Sequence, residues 1–177
     1  MSEQNNESLY KKQQAAKPKI EEIANEVISG DNQKNLLDFI EFLRNNKMSP
    51  RWASVNSWKV MHKNKSVCYV NLNDRDGSWM IRHSQFTREK WFIDYEKYIT
   101  DAELKGFILE HINGPLCPGR DCWGSKNKMT ILGKDFDAVC TCWPLTVKNP
   151  DGSVLECSKK FILAIKTIIV DFTTANK

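Results

Sequence analysis

The residues of this chain best suited to metal binding or nucleophilic chemistry are six cysteines and three histidines, and their spacing limits what they can do. Cys117 and Cys122 lie in PLCPGRDCWG, residues 115–124, a run whose prolines and glycines read as a loop. Cys140, Cys142 and Cys157 follow. Structural zinc takes four thiolate or imidazole ligands, commonly as close pairs with about two to four residues between partners. Cys117 and Cys122 satisfy that spacing. Cys140 and Cys142 have one residue between them; on an extended strand their sulfurs would share a face about 7 Å apart, wide for one ion. A metal set of Cys117, Cys122, Cys140 and Cys157 follows, with zinc as the cofactor it would suit. A redox pair normally has two intervening residues beside a helix start, a pattern absent here. A loop carrying reduced thiols is the first reading of this stretch and a zinc site the second.

A second constellation comes from register. SWKVMHK, SVCYVNLN and SWMIRHS alternate apolar and polar residues and are separated by short polar runs, as in a three-stranded antiparallel meander. Slipping a strand by one residue turns every side chain over, so the apolar residues must stay on one face. A three-residue loop, Asn64 to Ser66, sets Trp58 against Leu72, Val60 against Val70 and His62 against Cys68. A four-residue loop, Asp74 to Gly77, sets Leu72 against Trp79, Val70 against Ile81 and Cys68 against His83. The expected rows are Trp58–Leu72–Trp79, Val60–Val70–Ile81 and His62–Cys68–His83. The last would hold a thiol between two imidazoles, as in a ligand or metal site, or a thiol-dependent enzyme with Cys68 as nucleophile. Its plainer reading is a core thiol with histidines marking the sheet's end. No fourth ligand or orienting acid can be named, and no catalytic residue is assigned.

Six tryptophans are many for 177 residues. Aromatic walls with a few polar groups make small-molecule pockets. Trp58, Trp79, Trp91 and Trp143, with Val60, His62, Cys68 and His83, form the expected ligand-binding set between the sheet and its helices.

These residues need a scaffold. Residues 1–16 are polar and read as a disordered extension; 17–177 read as one α+β domain. Within it, 17–46 are helical, since Ile20, Ile23, Ala24 and Val27, then Leu36, Phe39, Ile40 and Leu43, recur at helical spacing, with Asp31 capping the second helix. The meander occupies 57–83, after MSPRW. Residues 88–112 read as helices, one opened by Thr87 over FTREKWFIDYEKY and one by a Thr100/Glu103 capping box. A Cys/Gly/Pro loop fills 113–127, two strands fill 128–149, and Asp151 caps a final helix over 151–171. The fold class is α+β: an antiparallel sheet of about five strands with helices on one face.

Composition narrows the function classes. The net charge of +4 arises between residues 51 and 100, which hold nine bases and five acids. Those bases are scattered singly, without the dense cluster that neutralises a run of phosphates, which argues against nucleic acid as partner. The longest apolar run, Phe161 to Val170, is half of what a bilayer requires and contains Lys166. No apolar leader opens the sequence, so the expectation is a cytoplasmic protein that does not meet a membrane, with reduced cysteines.

The succession of a helix, Pro50, Trp52, SWKVMHKNKSVCYVNLN and GSWMIR resembles small bacterial YdhG-like domains, some of which carry a frataxin-like iron-chaperone label. The resemblance spans about residues 33–112. Where that family has a Tyr-Gly-Met-Pro type of turn, this chain has WASVNSW. CPGRDCWGSKNKMTILGKDFDAVC is similar to a Cys-bearing tail with a Gly-Lys-x-Phe-Asp element in proteins of anaerobic bacteria. The resemblance implies an α+β domain with a curved antiparallel sheet, and no reaction. The leading expectation is a domain that binds a small ligand in the Trp-lined pocket. A metal-binding protein using zinc or iron, and the Cys68 enzyme, are the alternatives.

Overall fold

A computed structural model describes residues 11–112 and 126–176, apart from the side chains of Thr87, Arg88 and Lys126. Cys117, Cys122 and Trp123 lie outside the described residues, as do residues 1–10 of the expected disordered extension.

Two helices open the fold, α1 (Ile20–Val27) and α2 (Gly30–Asn45). Each buries the stripe its spacing requires: Ile20 and Ala24 on the first, Leu36, Phe39, Ile40 and Leu43 on the second. Ser29 occupies the cap position of α2, and Asp31 falls within its first turn, where a negative charge suits the helix dipole. The chain then forms β1 (Ser49–Ser54), β2 (Ser57–His62), β3 (Lys65–Asn73) and β4 (Ser78–His83). β7 (Leu145–Lys148) completes a five-stranded antiparallel sheet in the order β1-β2-β3-β4-β7. The strand β1, in a segment to which no element was assigned from sequence, pairs with β2 from Ser49–Met61 to Ser54–Ser57. β5 (Lys126–Ile131) and β6 (Lys134–Cys140) form a separate hairpin about the Leu132–Gly133 turn, where both φ angles are positive (50° and 77°). α3 (Ala102–Glu110) and the long α4 (Gly152–Ala175) complete the helical side. α4 crosses the inner face of the sheet against β3, α2 and α3, burying Phe161, Ile162, Ile165 and Ile169.

One register differs from expectation. β3 and β4 pair as anticipated, Leu72 opposite Trp79 and Val70 opposite Ile81. Between β2 and β3, however, Trp58 faces Val70, Val60 faces Cys68 and His62 faces Lys65. The connection has two residues, Lys63 and Asn64, both with positive φ (45° and 63°), as the tight hairpin turns matching strand twist require. A two-residue turn alone would put Trp58 and Val60 against the outward side chains of β3. A bulge corrects this: Met61 pairs with Ser66 and Val60 with Cys68, so Val67 is the extra residue. The apolar face is preserved, but the pairing is displaced by two residues, and Trp58, Leu72 and Trp79 do not form one row.

Two further expectations change. Residues 11–16 are helical, and Gln13 is buried because it serves the β1–β2 turn: its Nε2 donates to Asn56 Oδ1 (2.8 Å), and its Oε1 accepts from Asn56 N (3.0 Å) and Trp52 Nε1 (3.3 Å). The segment after β4 is no continuous helix. It has a turn at Gln85–Arg88 and short 3-10 segments at Lys90–Phe92 and Tyr95–Tyr98. Phe86, Phe92 and Tyr95 could not share one helical face, being about 240° and 180° around a helix from the first ring. Breaking the helix, with Asp94 in the left-handed region (φ 61°), lets all three pack together. The cap of α3 is Asp101, whose Oδ1 accepts from Leu104 N at 2.8 Å, and not Thr100.

Candidate functional site

The register separates the residues expected to form a His–Cys–His row. His62 donates from Nδ1 to the Lys47 carbonyl (3.1 Å) and lies opposite Lys65. Cys68, with no exposure, faces Val60, and burial pushes its thiol well above the usual range. That is the opposite of an activated nucleophile. His83, next to β3, packs its ring edge-on to Phe161 at 4.9 Å. Burial lowers its pKa to about 3, partly opposed by a backbone hydrogen bond at Val67, so the imidazole is neutral.

The tryptophans divide between the two faces of the sheet. Trp58 and Trp79 belong to the core; Trp58 Nε1 donates to the Pro18 carbonyl (2.9 Å), and Trp79 packs 5.7 Å from Phe39. Trp91, also buried, donates to Glu89 Oε2 at 2.9 Å. Trp143 is on the outer face, edge-on to Tyr69 at 5.0 Å. The structure does not bring these four rings around one space.

Of the expected zinc ligands, Cys140 ends β6, buried, and accepts from Trp143 N at 3.5 Å. The strand stops there, so Cys142 does not continue it. Cys157 is on α4 in a small cleft of about 150 Å³ shared with Glu103, Glu110 and His111. Burial first, and the neighbouring Glu103 second, raise its thiol. Among the described residues no three His, Cys, Asp or Glu side chains lie close enough to hold a metal ion.

Two features were not singled out from sequence. The first is a cleft of about 320 Å³ over the segment after β4, with Gln85, Phe86, Glu89, Lys90, Phe92, Ile93, Asp94 and Tyr95 around it. Its aromatic wall is cohesive: Phe86 meets Phe92 at 5.3 Å and Tyr95 at 4.8 Å, and Phe92 stacks on Tyr95 at 5.0 Å. Gln85 links the cleft to the bulge. Its Nε2 donates to the carbonyls of Ser66 and Val67, the residues at the bulge, while its buried Oε1 has no partner among the described residues. The density of rings between Phe86 and Tyr98 was the available sequence signal. Reading that segment as a helix spread the rings around an axis and hid the cleft.

The second is a row across the outer face. Arg51 pairs with Lys59, Lys59 with Tyr69, Tyr69 with Arg82, and Arg82 with Thr146, so one row crosses all five strands. Lys59 Nζ is 5.6 Å from the Tyr69 ring centroid, and the Arg82 guanidinium 5.5 Å from that of Trp143. No spacing rule along the chain could have shown this row, because its members come from five separate strands.

No helix among the described residues is long and apolar enough to cross a membrane. No protein-family model, curated protein or solved structure matches this chain.

Proposed function

We propose that this protein binds a small planar molecule bearing an N–H or O–H donor, in the cleft between Gln85 and Tyr95. The observation that carries the reading is Gln85. It lines the cleft and is held by two backbone carbonyls through its Nε2, while its Oε1 is withdrawn from water without a hydrogen-bond partner among the described residues. Such an acceptor costs about 1–3 kcal/mol when unpaired, a cost that a ligand donor removes once a shift of the Gln85 side chain opens Oε1 to the cleft. Phe86, Phe92 and Tyr95 offer ring faces and edges to a flat molecule, and Lys90, Glu89 and Asp94 supply charged groups around it. This keeps the ligand-binding class expected from the aromatic content and moves the site from the tryptophans to the segment after β4.

The test is a set of planar heterocycles with and without N–H donors, screened by thermal shift and followed by amide-resolved NMR. Donor-bearing members should raise the melting temperature, because a ligand that binds only the native state stabilises it. They should also shift the resonances of residues 85–95, and Tyr95→Ala should abolish both effects while retaining the native spectrum elsewhere. Stabilisation that survives Tyr95→Ala, or a set without binders, removes the reading.

A further inference from the structure

A second cleft, of about 260 Å³, lies where the helical turn over residues 11–16, α1, the β1–β2 turn and the start of the β3–β4 connection meet. It shares no residue with the cleft after β4. Ala16, Pro18 and Ile23 give it apolar walls, and Gln13 and Asn56, both more than nine-tenths buried, line it as well.

The orientation of Asn56 is fixed by partners that can act in one sense only. Asn56 N and Trp52 Nε1 are donors, so the Gln13 amide must turn its Oε1 to them. Its Nε2 then donates to Asn56 Oδ1. With Oδ1 taken, the Asn56 amide carries its Nδ2 on the opposite side. That group has two N–H donors and no hydrogen-bond partner among the described residues, and it is not one of the polar atoms sealed from water. The Asn56 backbone is held as well: its φ is 51°, and its carbonyl accepts from Leu72 N at 2.8 Å. The cleft therefore holds a fixed N–H donor among apolar walls, the pattern of a small-molecule site.

Charged side chains complete it. Lys12, Glu26 and Asp74 are exposed, and no ion pair or hydrogen bond engages them among the described residues. A cation and two anions around an apolar space suit a molecule that bears both signs of charge on an aliphatic body. The volume, just below the roughly 300 Å³ at which drug-sized pockets begin, suits a molecule the size of an amino acid.

We infer that this cleft binds a free α-amino acid with an aliphatic side chain. The ligand's carboxylate accepts from Asn56 Nδ2 and pairs with Lys12, its ammonium faces Glu26 and Asp74, and its side chain lies against Ala16, Pro18 and Ile23. This stands independently of the cleft after β4.

The test is L-leucine titrated into the full chain and followed by amide-resolved NMR. Saturable shifts should map to residues 12–26, 56 and 74 and leave 85–95 unchanged. Glycine, which lacks the aliphatic body, should bind at least tenfold more weakly. Leucinamide and N-acetyl-leucine, each lacking one charge and each resembling one end of a peptide, should bind at least threefold more weakly. Lys12→Gln should weaken leucine about threefold without affecting leucinamide. Glu26→Gln with Asp74→Asn should weaken leucine about threefold without affecting N-acetyl-leucine. Both variants should keep the native melting temperature, since none of these side chains is paired among the described residues. The inference is overturned if leucine up to about 20 mM gives no saturable shift, or if its shifts fall on residues 85–95 instead. It is equally overturned if glycine, leucinamide or N-acetyl-leucine binds as tightly as leucine, or if both variants keep the native affinity.

Discussion

Val60 on β2 stands directly opposite Cys68 on β3, and both side chains are fully enclosed in the core. The thiol lies against an aliphatic neighbour in a dry interior, which disfavours its anion. Cys68 should therefore be the slowest of Cys68, Cys140, Cys142 and Cys157 to alkylate, and half-exposed Cys142 the fastest, as read by peptide mass spectrometry after timed iodoacetamide treatment. Cys68→Ser should destabilise the fold by about 2 kcal/mol by burying a hydroxyl without a designed partner, whereas Cys68→Ala should cost less.

His83 makes stability depend on pH in a definite direction. Its folded pKa is about 3 against 6.5 for an unperturbed histidine, so between those values the unfolded chain binds the extra proton. The contribution is at its full value above pH 6.5 and declines as pH falls, reaching a loss of about 2 kcal/mol at pH 5. Urea titrations at pH 7 and pH 5 should show this difference in the native protein, and His83→Gln should reduce it.

The bulge at Val67 relies on Gln85. Gln85→Met should leave the Ser66 carbonyl without its side-chain donor and the Val67 carbonyl with the His83 ring alone, and cost about 1–2 kcal/mol in denaturant titrations. At the adjoining turn, Lys63 holds a left-handed conformation that asparagine adopts more readily. Lys63→Asn should raise stability by about 0.5 kcal/mol, and the two changes test the same hairpin from opposite directions.

Gln13 ties the first helical turn to the β1–β2 connection through Asn56 and Trp52. Gln13→Ala should lower stability by about 1–2 kcal/mol. It should also speed amide exchange at Asn56, whose N–H donates to the Gln13 side chain, without affecting α4.

Much of the architecture was legible along the chain, and the reasons are local. Ile20 with Ala24, and Leu36 with Phe39, Ile40 and Leu43, repeat at helical spacing and form buried stripes. Alternation over β2, β3 and β4 marked which residues face the core, and the four-residue connection from Asp74 to Gly77 set Leu72 opposite Trp79. The segment from Phe86 to Tyr95 was not legible in this way, because its rings meet one another through a broken helix.

The rest depended on the folded sheet. Hydrophobic alternation punishes a slip of one residue, which turns a whole strand over, but tolerates a slip of two, which keeps every side chain on its face. Sequence alone therefore determined that Trp58, Val60, Cys68 and Ile81 point inward and that Lys59, Tyr69 and Arg82 point outward. A two-residue turn and a single bulge decided which of them became neighbours, parting His62 from Cys68 and bringing Lys59 to Tyr69, because strand partners are set by backbone pairing across distant parts of the chain.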